Sequence, residues 1–431
     1  MKIDQAMAAA KEAYEAYSKL PLNKRQQIID NIKSNLLQVV PEIATKIVEE
    51  TGMGKAQDKI VKLLLAIQKT PGVEDLVTEA QTGDDGLTLY ELSSYGIVCT
   101  SLPCTNPCET LINNTISLLA AGNAVIHIPH PRAVNVSKYV TDIIDRAIYY
   151  ASGIEHLVIT LEDSSMQQAS ELMNHPDVNL IVITGNGRMA RHFLGCEKRV
   201  ICAGPANPVA IVDETADIAK AAKDIVMGAS FDNNIMCITE KNIVVVEEIA
   251  DLFIEGLEYH HAHVIQNEED MLKLTAAVLT EDMTMNLALK GKSAPEILKA
   301  AGIPASTDVD LIVVDTVKIH PFVTLELMMP VVPMIRVKDF DAALDTALMI
   351  EQGYRHTAVI HSQSIEHLDR AACVMKTSIF VKNASSLAGI GVGGEGATSF
   401  TIATITGEGS TTARTFARKR RCCMANGFSI R

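Results

Sequence analysis

Apolar residues recur at every third or fourth position through the first 70 residues. Met7, Ala10, Tyr14 and Tyr17 fall on one helical face. Pro21 opens a second helix carrying Ile28, Ile29, Ile32, Leu36 and Val39. Pro41 opens a third, which ends near Gly52-Met53-Gly54, and a fourth covers 59–69 and stops at Pro71-Gly72. At Gly83 the period changes. Residues 86–95 alternate and predict an exposed β-ribbon, and 96–101 predict a buried strand. Helices are then expected over 108–121, 134–151 and 164–173, between strands over 123–128, 156–160 and 178–184. This alternation is that of a doubly wound α/β sheet. A second such block runs from about 205 to 395, with strands near 210–212, 242–246, 311–314, 334–336, 357–360 and 378–381. Beyond Gly396 the chain is rich in Gly and Thr, then basic. The expected fold class is α/β: two doubly wound α/β domains plus a β-ribbon. The boundaries are 1–204 (interrupted by the ribbon at 83–96), 205–396, and a tail of 397–431.

Composition narrows what such a chain does. It has 431 residues, 48% of them hydrophobic, enough for two or three cores. Charged residues at 21% exclude a largely disordered chain. A net charge of −14 repels phosphate backbones, and with no Trp and 4% aromatics no base-stacking platform is expected. Nucleic acid is therefore not an expected partner. No run of about 18 apolar residues is long enough to cross a membrane. The first 20 residues mix charges and lack a signal peptide's apolar core. Nine cysteines, an odd number at irregular spacing with no CxxC pair, fit a reducing cytoplasm better than a disulfide framework. Cys104 and Cys108 have no second ligand pair near them, so no metal is expected.

Three local features carry candidate chemistry. Thr184-Gly185-Asn186-Gly187 joins a strand to a helix, where glycines let backbone approach a phosphate at a helix N-terminus. The full GxGxxG pattern is absent, so the run by itself reads first as a plain turn. Asn106 in Pro103-Cys104-Thr105-Asn106-Pro107 ends a strand and begins a helix. Its amide can donate to a developing oxyanion, or it can be a helix cap. Cys237 sits in a polar loop, Phe231 to Lys241, ahead of a strand. Loop position favours function, although most cysteines are buried and inert. Gly52-Met53-Gly54-Lys55 ends a helix rather than a strand and is rejected as a phosphate loop.

Taken in order, Asn106, the Thr184–Gly187 turn, Cys237 and Glu326 (in Glu326-Leu327-Met328-Met329-Pro330) resemble the aldehyde dehydrogenase superfamily over essentially the whole chain. Residues 105–133, the 232–241 loop with Glu240-Lys241, and residues 353–362, 391–409 and 420–431 resemble its CoA-acylating members. Those members act on acetaldehyde and propionaldehyde in ethanolamine and propanediol utilisation, often inside bacterial microcompartments. The resemblance implies that Cys237 attacks the aldehyde as a thiolate. Asn106 and the Cys237 backbone N–H would hold the oxyanion. Thr184, Gly185 and Glu326 would contact NAD, with Glu326 on the nicotinamide ribose. His130, Pro131 and Arg132 lie where the family meets the adenosine part, although the superfamily's ribose-binding lysine is missing there. His356 reads first as a structural hydrogen-bonding residue, and lining a CoA or substrate channel is the lesser alternative. The Arg418–Arg421 run reads first as a solvated or inter-subunit strand, and contact with CoA phosphates is the lesser alternative.

One absence separates products. Hydrolytic members carry a glutamate base six residues before a proline, and aligning that proline with Pro208 puts Cys202 there, expected as a small core residue. Water, with a pKa of about 15.7, needs such a base, whereas a thiol at about 8.5 does not. The resemblance therefore implies short-chain aldehyde, CoA and NAD+ going reversibly to acyl-CoA and NADH. Its rivals are a hydrolytic or phosphorylating dehydrogenase and an idle microcompartment cargo or scaffold protein. The ribbon and tail imply a homodimer or dimer of dimers. Members bound for microcompartments often carry an extra helix ahead of the core. Here a core-like helix begins within a few residues of Met1, so encapsulation is left open beside the cytoplasmic location that the cysteines suggest.

Overall fold

The computed structural model describes residues 2–185 and 187–428. Asn186 of the glycine turn and the terminal Ser429-Ile430-Arg431 lie outside the described residues. The chain divides into two units, one of residues 1–51, 60–203 and 397–431, the other of 52–59 and 204–396.

In the first unit the 3.6-residue period becomes the helices Ile3–Tyr17, Leu22–Leu37 and Val40–Thr51. Leu22–Leu37 buries Ile28, Ile29, Ile32 and Leu36, the face read from sequence. Helix Ala56–Gln68, which begins three residues earlier than expected, crosses the division between units. A five-stranded parallel sheet runs in the order Val158–Thr160, Ala124–Ile128, Ile97–Ser101, Val178–Ile183, Arg199–Cys202. Every residue of Ile97–Ser101 and Ala124–Ile128 is buried, as strands covered on both faces must be. The expected strand at 156–160 starts only at Val158, because His156 adopts φ +61° and donates its N–H to Asp145.

Helix Pro107–Ala120 is buried along its whole length, polar residues included. Its amides reach Thr70 and the tail. Asn113 donates to Thr70 Oγ1 (2.8 Å) and accepts from Phe400 N, and Asn114 Oδ1 accepts from Thr401 Oγ1. Strands Glu79–Gly83, Gly86–Ser94 and Ala417–Ala425 form a separate antiparallel sheet, with Arg418 opposite Ser93.

The second unit holds a seven-stranded parallel sheet, ordered Ala262–Ile265, Leu311–Thr316, Val331–Val337, Asn242–Val246, Val209–Val212, Thr357–His361, Ile379–Lys382. Buried Asn207 ties the start of this sheet together. Its Nδ2 donates to the Val323 and Ile350 carbonyls and its Oδ1 accepts from Asn242.

Asn123 makes four hydrogen bonds with no exposure. Its Oδ1 accepts from Tyr95 N (2.7 Å) and Gly96 N, and its Nδ2 donates to the Leu118 and Phe416 carbonyls. Asn123→Ala strands these buried groups and should destabilise the protein by roughly 3 kcal/mol. Denaturant titration of wild type and variant checks this, and a shift under about 0.5 kcal/mol contradicts it.

Candidate active site

In the first unit the candidate residues collect at the C-terminal ends of strands. The chain runs from Ile97–Ser101 outward through Ala124–Ile128 to Val158–Thr160, then crosses to Val178–Ile183 on the other side. Strands Ile97–Ser101 and Val178–Ile183 therefore flank the point where strand order reverses, the usual ligand crevice of such sheets. Asn106 follows the first and Thr184-Gly185 the second. Gly185 has φ +75°, and a Cβ there would lie 2.7 Å from Pro103 Cβ, so only glycine lets the two loops meet. Thr184 donates its N–H to Ser101 O, and its hydroxyl pairs with Thr401 at 2.8 Å. His130, Pro131 and Arg132 follow the next strand. His130 is half-buried, its two neighbours are exposed, and Arg132 gives a guanidinium N–H to Thr51 O.

Asn106 occupies the N-cap position of helix Pro107–Ala120, yet its side chain makes no cap hydrogen bond. Its Oδ1 instead accepts from Lys62 Nζ at 2.7 Å. Lys62 is itself 3.1 Å from Glu109 Oε1, and both side chains are fully buried. The cap alternative read from sequence is therefore not what the side chain does.

In the second unit the candidates sit at the N-terminal ends of strands. Cys237 precedes Asn242–Val246, Glu326 precedes the adjacent Val331–Val337, and His356 precedes Thr357–His361. The Cys237 loop opens with Asp232, Asn233 and Asn234 all left-handed, at φ +48°, +54° and +58°. Each such residue costs about 1–2 kcal/mol, least for Asp and Asn. Side chains hold the turn. Asp232 accepts from Lys55 N (2.8 Å) and Lys59 Nζ (3.0 Å), and its own N–H donates to Asp58. Asn233 donates to Gly291 O, and Asn234 donates to the Ala229 and Glu240 carbonyls. Buried Lys241 donates to both the backbone and side-chain oxygens of Asn234. Gly54 makes room, since a Cβ there would lie 2.0 Å from Asp232 Oδ1.

Cys237 at the end of this turn is half-buried, whereas Cys99, Cys104, Cys108 and Cys202 are buried. Cys202 packs in the core of the first unit, as expected, and burial pushes its thiol up to about 11. Burial lowers Lys241 to about 8, against the pull of Glu326 and Cys237. Burial also raises Glu326, opposed by Lys241 and by the Ala206 N–H. Glu326 Oε1 is buried with no hydrogen-bond partner among the described residues. Burial, with Lys241 beside it, lowers His356 to about 4. Its Nδ1 pairs with Thr357 Oγ1 at 2.9 Å. Burial raises Glu240 to about 7, and both its oxygens accept from Ser386, so it is occupied structurally. Lys59 and Lys62 carry no sequence signal of their own, and Glu109, Asp232 and Lys241 stand out only as members of the family-like stretches. Lys59 and Lys62 fall on one helix and Lys55 lies just ahead of it, but nothing local marks their partners.

With a folded value of about 4 against about 6.5 for free imidazole, His356 takes up its proton later than the unfolded chain does as pH falls. It therefore subtracts stability between pH 6.5 and 4. His356→Gln should lose about 2 kcal/mol less unfolding free energy than wild type between pH 7.5 and 5. Denaturant midpoints at the two pH values measure this, and equal losses would show that His356 is not held neutral.

The sequence profile of the aldehyde dehydrogenase family matches residues 1–409. The chain is 45% identical to the propanal dehydrogenase (CoA-propanoylating) of Citrobacter freundii, over all of this chain and 93% of that protein. A solved propionaldehyde dehydrogenase from Rhodopseudomonas palustris, with bound CoA and an acylated cysteine, superposes with a TM-score of 0.98 at 41% identity, covering all of this chain and 98% of the other. Another, from the fucose utilisation bacterial microcompartment of Clostridium phytofermentans, gives 0.97 at 40% identity, covering all of this chain and 99% of the other. A match of this length, on a fold of two parallel sheets, means that the chain belongs to the aldehyde dehydrogenase family.

Proposed function

We propose that this chain is a CoA-acylating aldehyde dehydrogenase that converts a short-chain aldehyde, CoA and NAD+ reversibly to acyl-CoA and NADH. The observation that carries the reading is the Cys237 loop, a half-buried thiol at the end of a clamped left-handed turn beside the Lys241 charge. Cys237 attacks the aldehyde carbon as a thiolate, and Lys241 favours that anion electrostatically. The Asn106 amide and the Cys237 backbone N–H stabilise the thiohemiacetal oxyanion.

The residues present fit a dinucleotide. The partnerless acceptor Glu326 Oε1 suits a ribose hydroxyl, and the close turn at Gly185 suits approach of backbone to a phosphate. Thr184 and Gly185 would hold the cofactor with Glu326, and His130, Pro131 and Arg132 would meet its adenosine end. When bound, NAD+ accepts the hydride. Cys237 then carries the acyl group as a thioester until the CoA thiol attacks it. His356, neutral at working pH and on the same sheet edge as Cys237, borders the path of that thiol. Cys202, a core thiol, supplies no carboxylate base at the position where hydrolytic members carry one.

In this reading residues 1–204 bind the cofactor, 205–396 carry the nucleophile, and 397–431 join the ribbon at 83–96 in assembly. Strand Ala417–Ala425 ends its sheet, and its residues from Arg418 onward are exposed. Such edges are normally covered, which supports a homodimer or dimer of dimers. The solved neighbour from a bacterial microcompartment supports an enzyme that can be encapsulated.

NADH formation from two- to four-carbon aldehydes should be sustained only with CoA present, with acyl-CoA as product. Cys237→Ala should lower it at least about 10⁴-fold. Free acid as the main product, or sustained turnover without CoA, contradicts acyl transfer to CoA. Activity retained by Cys237→Ala contradicts the nucleophile.

A further inference from the structure

An asparagine that stabilises an oxyanion must present its NH₂ end and not its carbonyl. Nothing in an amide's shape chooses between the two. In this chain the choice is made by Lys62, whose ammonium has three donors and no acceptor. It stands 2.7 Å from Asn106 Oδ1, so the carbonyl end faces the lysine and Nδ2 faces away. Nδ2 donates to Thr105 Oγ1 over a long 3.3 Å, which leaves its second hydrogen for a ligand. The competing use of Oδ1, capping the helix at Pro107, is not made. Lys62 is held in turn by Glu109 Oε1 at 3.1 Å, with neither side chain exposed. A buried ion pair of this kind is weak evidence for added stability, so its presence calls for another explanation.

We propose that Lys62 is a positioning residue for acyl transfer. By holding Asn106 Oδ1 it aims and polarises the amide N–H that meets the substrate oxyanion, while Glu109 balances its charge. The inference rests on the reading of Asn106 as the oxyanion donor.

The test compares single-turnover NADH formation in wild type, Asn106→Ala, Lys62→Met and the Asn106→Ala/Lys62→Met double variant. Lys62→Met/Glu109→Gln serves as a fifth protein, because it leaves no stranded buried carboxylate where Lys62→Met alone fails to fold. Asn106→Ala should slow the step about 100-fold or more, the size of one lost oxyanion donor. Removal of Lys62, in either form, should slow it about tenfold or more with the aldehyde KM little changed. Lys62→Met should add nothing once Asn106 is alanine. Lys62→Gln, whose amide can still donate to Oδ1, should recover part of the rate. An undiminished rate in Asn106→Ala overturns the reading of Asn106 itself. A slow Asn106→Ala beside a Lys62 variant at the wild-type rate overturns the positioning role alone. So does a Lys62 effect that is equally large in the Asn106→Ala background.

Discussion

Three consecutive left-handed residues, Asp232 to Asn234, lie five to three positions ahead of Cys237, and a set of buried side-chain hydrogen bonds holds them. Left alone, such a stretch relaxes to right-handed or extended backbone, and the thiol moves with it. Here the carboxylate of Asp232 is fixed by Lys55 and Lys59, and the amides of Asn233 and Asn234 reach backbone carbonyls at Gly291, Ala229 and Glu240. These contacts hold the strained turn and with it the backbone that leads to Cys237, the proposed nucleophile.

Buried lysines recur as the orienting elements. Lys59 fixes Asp232, Lys62 fixes Asn106, and Lys241 fixes Asn234. An ammonium only donates, so the contacts to Asn106 and Asn234 determine that the carbonyl end of each amide faces its lysine. Lys241 also stands beside Cys237 and Glu326, the proposed nucleophile and the proposed cofactor contact. One charge thus favours two anions, and the same charge helps to keep His356 neutral. Electrostatics and backbone geometry at this sheet edge are supplied by the same side chain.

The strands buried on both faces were legible because their apolar runs are nearly continuous, as in Ile97–Ser101 and Val209–Val212. Glu79–Gly83, Arg199–Cys202 and Ala262–Ile265 were not. All three are short sheet-edge strands, and polar or partly exposed positions interrupt their pattern. Cys237, Asn106 and Glu326 stood out only in combination, through family resemblance. Their supports could not, because the contacts are made over long sequence distances. Lys59 meets Asp232 across 173 residues, and Gly54 looked like a helix terminator until the carboxylate above it was placed. Glu109 reads as an ordinary first-turn acid, and only the packed fold removes it from water.

In the proposed reaction Cys237 carries the acyl group and passes it to a thiol. Mass spectrometry of the protein incubated with propanal and NAD+, without CoA, tests it directly. The account predicts a propanoyl thioester on the Cys237 peptide that persists in water and discharges as propanoyl-CoA when CoA is added. An acyl group on another cysteine, or its release as free acid at the same rate with and without CoA, would contradict it.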